Sequence, residues 1–210
     1  MARVAVVGNG GTGKTWLALR LGAALRVPVI HLDLYRYDSS GDVRPQAAFR
    51  DEVHARLVDS PDWVADGNYL GTMDERLALA DVVVLLDLPV VVCLAGVLGR
   101  QVRHRGRRVE DASHADRFNG GFAYYVLTFR RQMRPRVLAA LAAASCPVVR
   151  VRTRRQVRAL ADQVALQGRM PTSARGARRP IGFDQGSPGR LVGSRTYTSG
   201  AAHADPISHR

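Results

Sequence analysis

The residues with the plainest chemical meaning come first in the chain. Gly8, Asn9, Gly10, Gly11, Thr12, Gly13, Lys14 and Thr15 match the spacing G-x-x-x-x-G-K-[ST] in full. Glycines let backbone N–H groups turn inward around phosphate oxygens with no side chain in the way. The helix expected next adds the partial positive charge of its N-terminus. In this pattern Lys14 reaches the β- and γ-phosphates of a nucleoside triphosphate, and the Thr15 hydroxyl ligates Mg²⁺. ATP and Mg²⁺ are therefore the expected ligands. Lys14 is the single lysine among 31 basic residues, the rest being arginine. A guanine-reading Asn-Lys-x-Asp element is thereby excluded outside the loop, which favours adenine.

Three acidic residues follow apolar runs: Asp33 after Val27–Leu32, Asp66 after Trp63–Ala65, and Asp87 after Val82–Leu86. In open α/β sheets ligands bind at the carboxyl ends of strands, where such carboxylates face them. One is expected to hold Mg²⁺ through water, and another to accept a proton from a substrate hydroxyl or to orient it. Asp66 and Asp33 are favoured, with Asp66 joining Thr15 at the metal. Asp87, two residues before Pro89, fits a helix cap.

Arginines supply the third group. Arg100, Arg103, Arg105, Arg107 and Arg108 form one cluster, and Arg130, Arg131, Arg134 and Arg136 another. Phosphoryl transfer spreads negative charge over oxygens, and closing arginines stabilise it. Arg100 and Arg103 would share a helix face, as would Arg130 and Arg134; the first pair is assigned to catalysis. The bland alternative is a solvated basic face or an RNA-contacting patch. His31, His54, His104 and His114 have no ligand spacing and are assigned ordinary roles. Phe122, Tyr124, Tyr125 and Phe129 recur at helical intervals and read as core.

These groups need a scaffold, and the hydrophobic pattern supplies one. Short apolar strands are expected at Arg3–Val7, Val27–Leu32, Trp63–Ala65, Val82–Leu86 and Pro147–Val151, alternating with helical patterns. The helices fall near Thr15–Leu25, Arg44–Val58, Met73–Ala80, Pro89–Arg103, Phe122–Ala144 and Gln156–Leu166. Gln101–Asn119 reads as a loop or lid. The fold class that follows is α/β, a parallel sheet with helices on both faces.

Length and composition set the limits. A chain of 210 residues with 46% hydrophobic content makes one such domain, assigned to residues 1–167. Residues 168–210 are rich in Gly, Ser, Pro, Arg and Ala without periodicity, and read as a disordered basic tail. Net charge is +13 and lopsided: residues 1–99 carry nine basic and twelve acidic side chains, residues 100–136 ten and three. Cys93 and Cys146 lie in separate apolar runs, so reduced, buried thiols are expected, without zinc. The glycine loop follows Met1–Val7 directly, so no signal peptide is expected. Asp87 and Pro89 interrupt the longest apolar run, so no membrane span is expected and a cytoplasmic location is.

Several segments together resemble the bacterial topology modulation proteins, a group of adenylate kinase-related P-loop kinases. They are the glycine loop, Pro28–Asp33, Trp63–Tyr69, Ala80–Pro89, Arg100–Arg108, Phe129–Arg136 and Arg152–Arg158. The resemblance spans residues 1 to about 167. It implies a nucleoside-monophosphate-kinase-like fold: a five-stranded parallel core, a substrate-side insertion after the second strand, and an arginine-bearing lid. Asp66-Gly67 falls where adenylate kinases carry Asp-Gly-Phe-Pro-Arg. Here Asn68-Tyr69-Leu70 follows, so the arginine that would meet the acceptor phosphate is missing.

Three readings result. The leading one is an ATP-dependent phosphotransferase acting on a small nucleotide, nucleoside or other hydroxyl acceptor. The second is a nucleotide-dependent regulatory protein contacting nucleic acid nonspecifically through the basic tail. The third is a plain ATPase or GTPase switch.

Overall fold

The computed structural model describes residues 2–38, 40, 42–104 and 120–171, without the side chains of Arg103 and His104. Five strands, β1 (Arg3–Gly8), β2 (Val29–His31), β3 (Trp63–Asp66), β4 (Val82–Leu86) and β5 (Val148–Val151), form one sheet in the order β2-β3-β1-β4-β5. Every neighbouring pair is parallel. The helices are α1 (Lys14–Leu25), α2 (Leu32–Tyr35), α3 (Gln46–Asp59), α4 (Met73–Leu79), α5 (Val90–His104), α6 (Gly120–Gln132), α7 (Arg134–Ala143) and α8 (Arg154–Gln167), with a 3-10 turn at Leu70–Thr72.

Alternation along β1 explains the layers. Val4 and Val6 pack with Leu17 and Leu21 of α1 and with Leu160 and Val164 of α8. Ala5 and Val7 face the other way, onto Phe49 and Val53 of α3, Met73 and Leu77 of α4, and Val137 of α7. Both faces are thus covered, as apolar parallel strands require, and the α/β fold class expected from the sequence is the one observed. The crossover from β1 to β2 runs through α1 on one face; that from β3 to β4 runs through α4 on the opposite face. The loop after β1 therefore opens where the two halves of the sheet diverge, the usual ligand position in such sheets.

Three local expectations needed correction. β2 stops at His31, which pairs with Asp66, because β3 ends there and Gly67 turns away at φ 143. Leu32 then has no ladder partner and starts the helical turn α2, so Asp33 sits on a helix and not at a strand end. The single helix expected over Phe122–Ala144 is two, α6 and α7, separated at Met133. Pro135 explains the break: it has no N–H to donate, and its ring would strike the Arg131 carbonyl in a continuous helix. In the first turn of α7 it costs nothing. Cys93 is buried as expected, but Cys146 is only partly so.

Residues 105–119, with Arg105, Arg107, Arg108 and His114, lie outside the described residues, and so do residues 172–210 of the basic tail. Among the described residues no helix is long and apolar enough to cross a membrane.

Candidate phosphate-binding site

Between the end of β1 at Gly8 and the start of α1 at Lys14 the chain makes a tight loop. Gly11 (φ 74) and Gly13 (φ 94) occupy the left-handed region that side chains disfavour. Space forbids a side chain too: a Cβ on Gly11 would lie 2.1 Å from the Cys93 carbonyl oxygen of α5. Gly13 is the N-cap of α1, which has neither a side-chain cap nor an acidic residue in its first turn. The N–H donors of that turn are left for an anion.

Side chains within the loop brace it. Asn9 and Thr12 are almost fully buried. Asn9 Oδ1 accepts from the Gly10 N–H at 2.7 Å, and Asn9 Nδ2 donates to the Val126 carbonyl of α6 at 2.9 Å. Thr12 Oγ1 donates to the Asn9 carbonyl at 2.7 Å, and Lys14 Nζ donates to the same oxygen at 3.0 Å. The ammonium is thus held over the loop. Burial lowers its pKa, opposed by the nearby charges of Asp33 and Asp66 and reinforced by that of Arg100.

Asp66 is buried at the end of β3, and both its oxygens are engaged. Oδ2 accepts from Thr15 Oγ1 at 2.9 Å, and Oδ1 lies 2.7 Å from His31 Nδ1. That hydrogen bond raises the His31 pKa against the opposing effect of burial. His31 was assigned no special role from the sequence. Its signal was register: it ends β2 directly beside Asp66. Asp33, on α2, accepts from the Tyr69 hydroxyl at 2.7 Å; burial, together with this carboxylate, drives the Tyr69 pKa upward. Asp33, Asp66, Thr15 and Lys14 are therefore neighbours. Among the described residues no three His, Cys, Asp or Glu side chains cluster as a protein-only metal site.

The Gly67–Thr72 segment is fastened from two sides. Asn68 Oδ1 accepts from the Gly8 N–H at 2.9 Å, while its Nδ2 donates to the Gly8 carbonyl and to the Tyr125 hydroxyl, each at 2.7 Å. Arg76 is fully buried, and its guanidinium donates to the carbonyls of Gly67 (2.9 Å), Asn68 (2.8 Å), Tyr69 (3.2 Å) and Thr72 (3.3 Å). Desolvation brings its pKa down to about 10. Neither residue was singled out from the sequence. Arg76 had a readable signal: with Met73 and Leu77 it falls on the buried stripe of α4.

The other expected residues divide. Arg100, on α5, is close enough to Lys14 to affect its titration. Arg103 lies on the same helix, but its side chain is outside the described residues. Arg130 and Arg134, expected on one face, belong to different helices. Arg134 and Arg150 both bind Asp87: Arg134 Nε and Nη2 reach its two oxygens at 2.8 and 2.9 Å, and Arg150 Nε reaches Oδ2 at 2.9 Å. Burial pushes the Asp87 pKa up, but the two guanidinium groups outweigh it and hold the carboxyl at about 2. Asp87 ties β4 to α7 and β5 and is not a helix cap. Arg154 Nη2, at the start of α8, donates to the Gly11 carbonyl at 3.1 Å. A cleft of about 710 Å³ between α3 and α4, lined by Gln46, Arg50, His54 and Glu75, includes no residue of the loop.

No family model matches this chain, and no curated protein does. The resemblance to topology modulation proteins rests on the segments quoted above. Among solved structures, a shikimate kinase from Bacteroides thetaiotaomicron is 18% identical, with a TM-score of 0.47, over 79% of this chain and 97% of that one. A shikimate kinase from Acinetobacter baumannii in complex with shikimate is 19% identical, with a TM-score of 0.45, over 80% and 92%. At such identities and TM-scores the likeness says nothing of the acceptor.

Proposed function

We propose that this chain is an ATP-dependent phosphotransferase that moves the γ-phosphoryl group onto a small nucleotide, nucleoside or other hydroxyl acceptor. The observation that carries the reading is the contact of Thr15 Oγ1 with Asp66 Oδ2 at 2.9 Å, beside the uncapped start of α1 and near the Lys14 ammonium. A hydroxyl and a carboxylate presented together are the hard oxygen donors that Mg²⁺ takes, with phosphates and water filling its octahedron. The residues present fit that ion. When bound, it neutralises charge on the phosphate oxygens.

The remaining work belongs to the chain. Backbone N–H groups of the loop and the first turn of α1 hold the phosphates; Lys14 leaves the Asn9 carbonyl to meet them. His31 fixes one oxygen of Asp66, so that the other stays beside Thr15. Asp33 stands on the acceptor side, its orientation set by Tyr69, where it orients a hydroxyl or takes its proton. Arg100 supplies positive charge as the phosphoryl group transfers. The topology-modulation resemblance adds a lid bearing Arg103, Arg105, Arg107 and Arg108. Cytoplasmic ATP is the donor in this reading.

The test uses the purified full chain with ATP, Mg²⁺ and a panel of nucleosides, nucleotides and polyols. At least one acceptor is expected to be phosphorylated, and Lys14→Ala to abolish transfer while leaving the melting temperature in place. Unchanged turnover in that variant would sink the mechanism. ATP hydrolysis without any acceptor would favour the simple ATPase.

A further inference from the structure

Trp16 follows Thr15 directly, in the first turn of α1, and is 42% exposed. Its helix neighbours Leu17, Ala18 and Leu21 are fully buried. The helical period therefore turns Trp16 to the side of α1 away from the sheet. Arg20, one turn on, stacks on the ring with its guanidinium carbon 5.5 Å from the centroid. A large aromatic group is thus presented to solvent in a fixed attitude, one residue from the Thr15–Asp66 pair.

The layout of charges says what could lie there. Asp33 and Asp66 lie near Lys14, and the terminal phosphate must face these carboxylates for transfer. The nucleoside end of the same molecule then leaves the loop on the other side. On the inner side Gly11 is backed by the Cys93 carbonyl of α5, and Arg154 of α8 donates to the Gly11 carbonyl. On the outer side of α1's first turn the indole stands partly exposed.

We infer that Trp16, held by Arg20, is a stacking platform for the nucleobase of the bound triphosphate. This rests on the phosphate-binding reading above and adds where the base sits. Stacking on an aromatic ring is indifferent to the hydrogen-bonding edge of the base, because every base has a π-face. An adjoining guanidinium adds a cation–π contribution.

The test separates base from phosphates by comparing ATP with inorganic triphosphate, which has no base, on the full-length protein by calorimetry. Trp16→Leu is expected to weaken ATP binding by between about five-fold and about a hundred-fold, with triphosphate affinity unchanged and Trp16→Phe recovering most of the loss. Lys14→Ala should weaken both ligands. Fluorescence gives a second readout, since Trp63, the other tryptophan, is completely buried: ATP should perturb the Trp16 emission and triphosphate should not. Equal losses for both ligands in Trp16→Leu, or an ATP affinity that does not change, would overturn the platform alone. A wild-type protein that binds neither ligand would overturn the phosphate reading and the platform with it.

Discussion

Asn68→Ala asks how far the site depends on the segment after β3. The side chain is 8% exposed and makes three hydrogen bonds, two to the backbone of Gly8 and one to Tyr125. Each is worth about 1 kcal/mol net, and a buried donor left unpaired costs somewhat more, so the loss should be about 2–4 kcal/mol. For a domain of this size that lowers the melting temperature by roughly 5–15 °C. Gly8 is also the hinge between β1 and the loop, so ATP binding should weaken together with stability. Asn68→Asp sharpens the test. The carboxylate still accepts from the Gly8 N–H but faces the Gly8 carbonyl without a proton to share. Its folded pKa must lie above the unfolded value, so this variant should gain on the wild type as pH falls and the carboxyl becomes a donor again. Differential scanning fluorimetry between pH 4 and 8, with ATP titrations, measures both effects. A melting temperature of Asn68→Ala within 2 °C of wild type, with ATP affinity unchanged, would refute the reasoning.

Asp87 and Arg76 give two further predictions. Asp87, held at about 2 by Arg134 and Arg150, should contribute about 1–2 kcal/mol, after allowing for the solvent that reaches both arginines. Its folded pKa lies below the unfolded one, so that stability is present above about pH 4 and fades as pH falls through about 2. Asp87→Asn should destabilise at pH 7 and flatten the acid limb of a urea-denaturation series; an unaltered acid limb would count against the ion pairs. Arg76→Met takes the guanidinium from the carbonyls of the Gly67–Thr72 segment, of which that of Tyr69 keeps the Thr72 N–H and hydroxyl, and should cost about 3 kcal/mol or more. Arg76→Lys, with a single ammonium, should recover only part of this in the same assay, and full recovery would argue against the carbonyl cage.

The sheet, its covered faces and the glycine loop were legible because each rests on a local pattern: apolar runs of strand length, helical spacing, and a motif whose geometry its own residues dictate. The errors came where a neighbour decides. β2 ends at His31 because β3 has ended beside it, which no reading of residues 27–32 alone contains. The division of Phe122–Ala144 was legible in Pro135 and was passed over. In the site, Thr15 of the motif touches Asp66 of a strand end, and Asp33, Asp66 and Arg100 lie near Lys14; the roles given to them are proposals. His31, Asn68 and Arg76 did not stand out, because each acts on backbone or on a carboxylate brought near only by folding. The same cause moved Asp87 from helix cap to ion pair: its partners Arg134 and Arg150 lie 47 and 63 residues away.

The positions of those missed residues bear on how the loop works. It is gripped from outside by four elements: Asn68 holds Gly8, the Val126 carbonyl of α6 holds Asn9, Arg154 of α8 holds Gly11, and α5 leaves Gly11 no room for a side chain. Phe122, in the first turn of α6, presses on Gly10, where a Cβ would lie 2.8 Å from its ring. Helices α5 and α6 are therefore both in contact with the loop, and they are the helices that flank the arginine-rich residues 105–119. The glycine loop is therefore also the surface against which α5 and α6 rest, so a substitution that enlarges Gly10 or Gly11 must displace one of these helices.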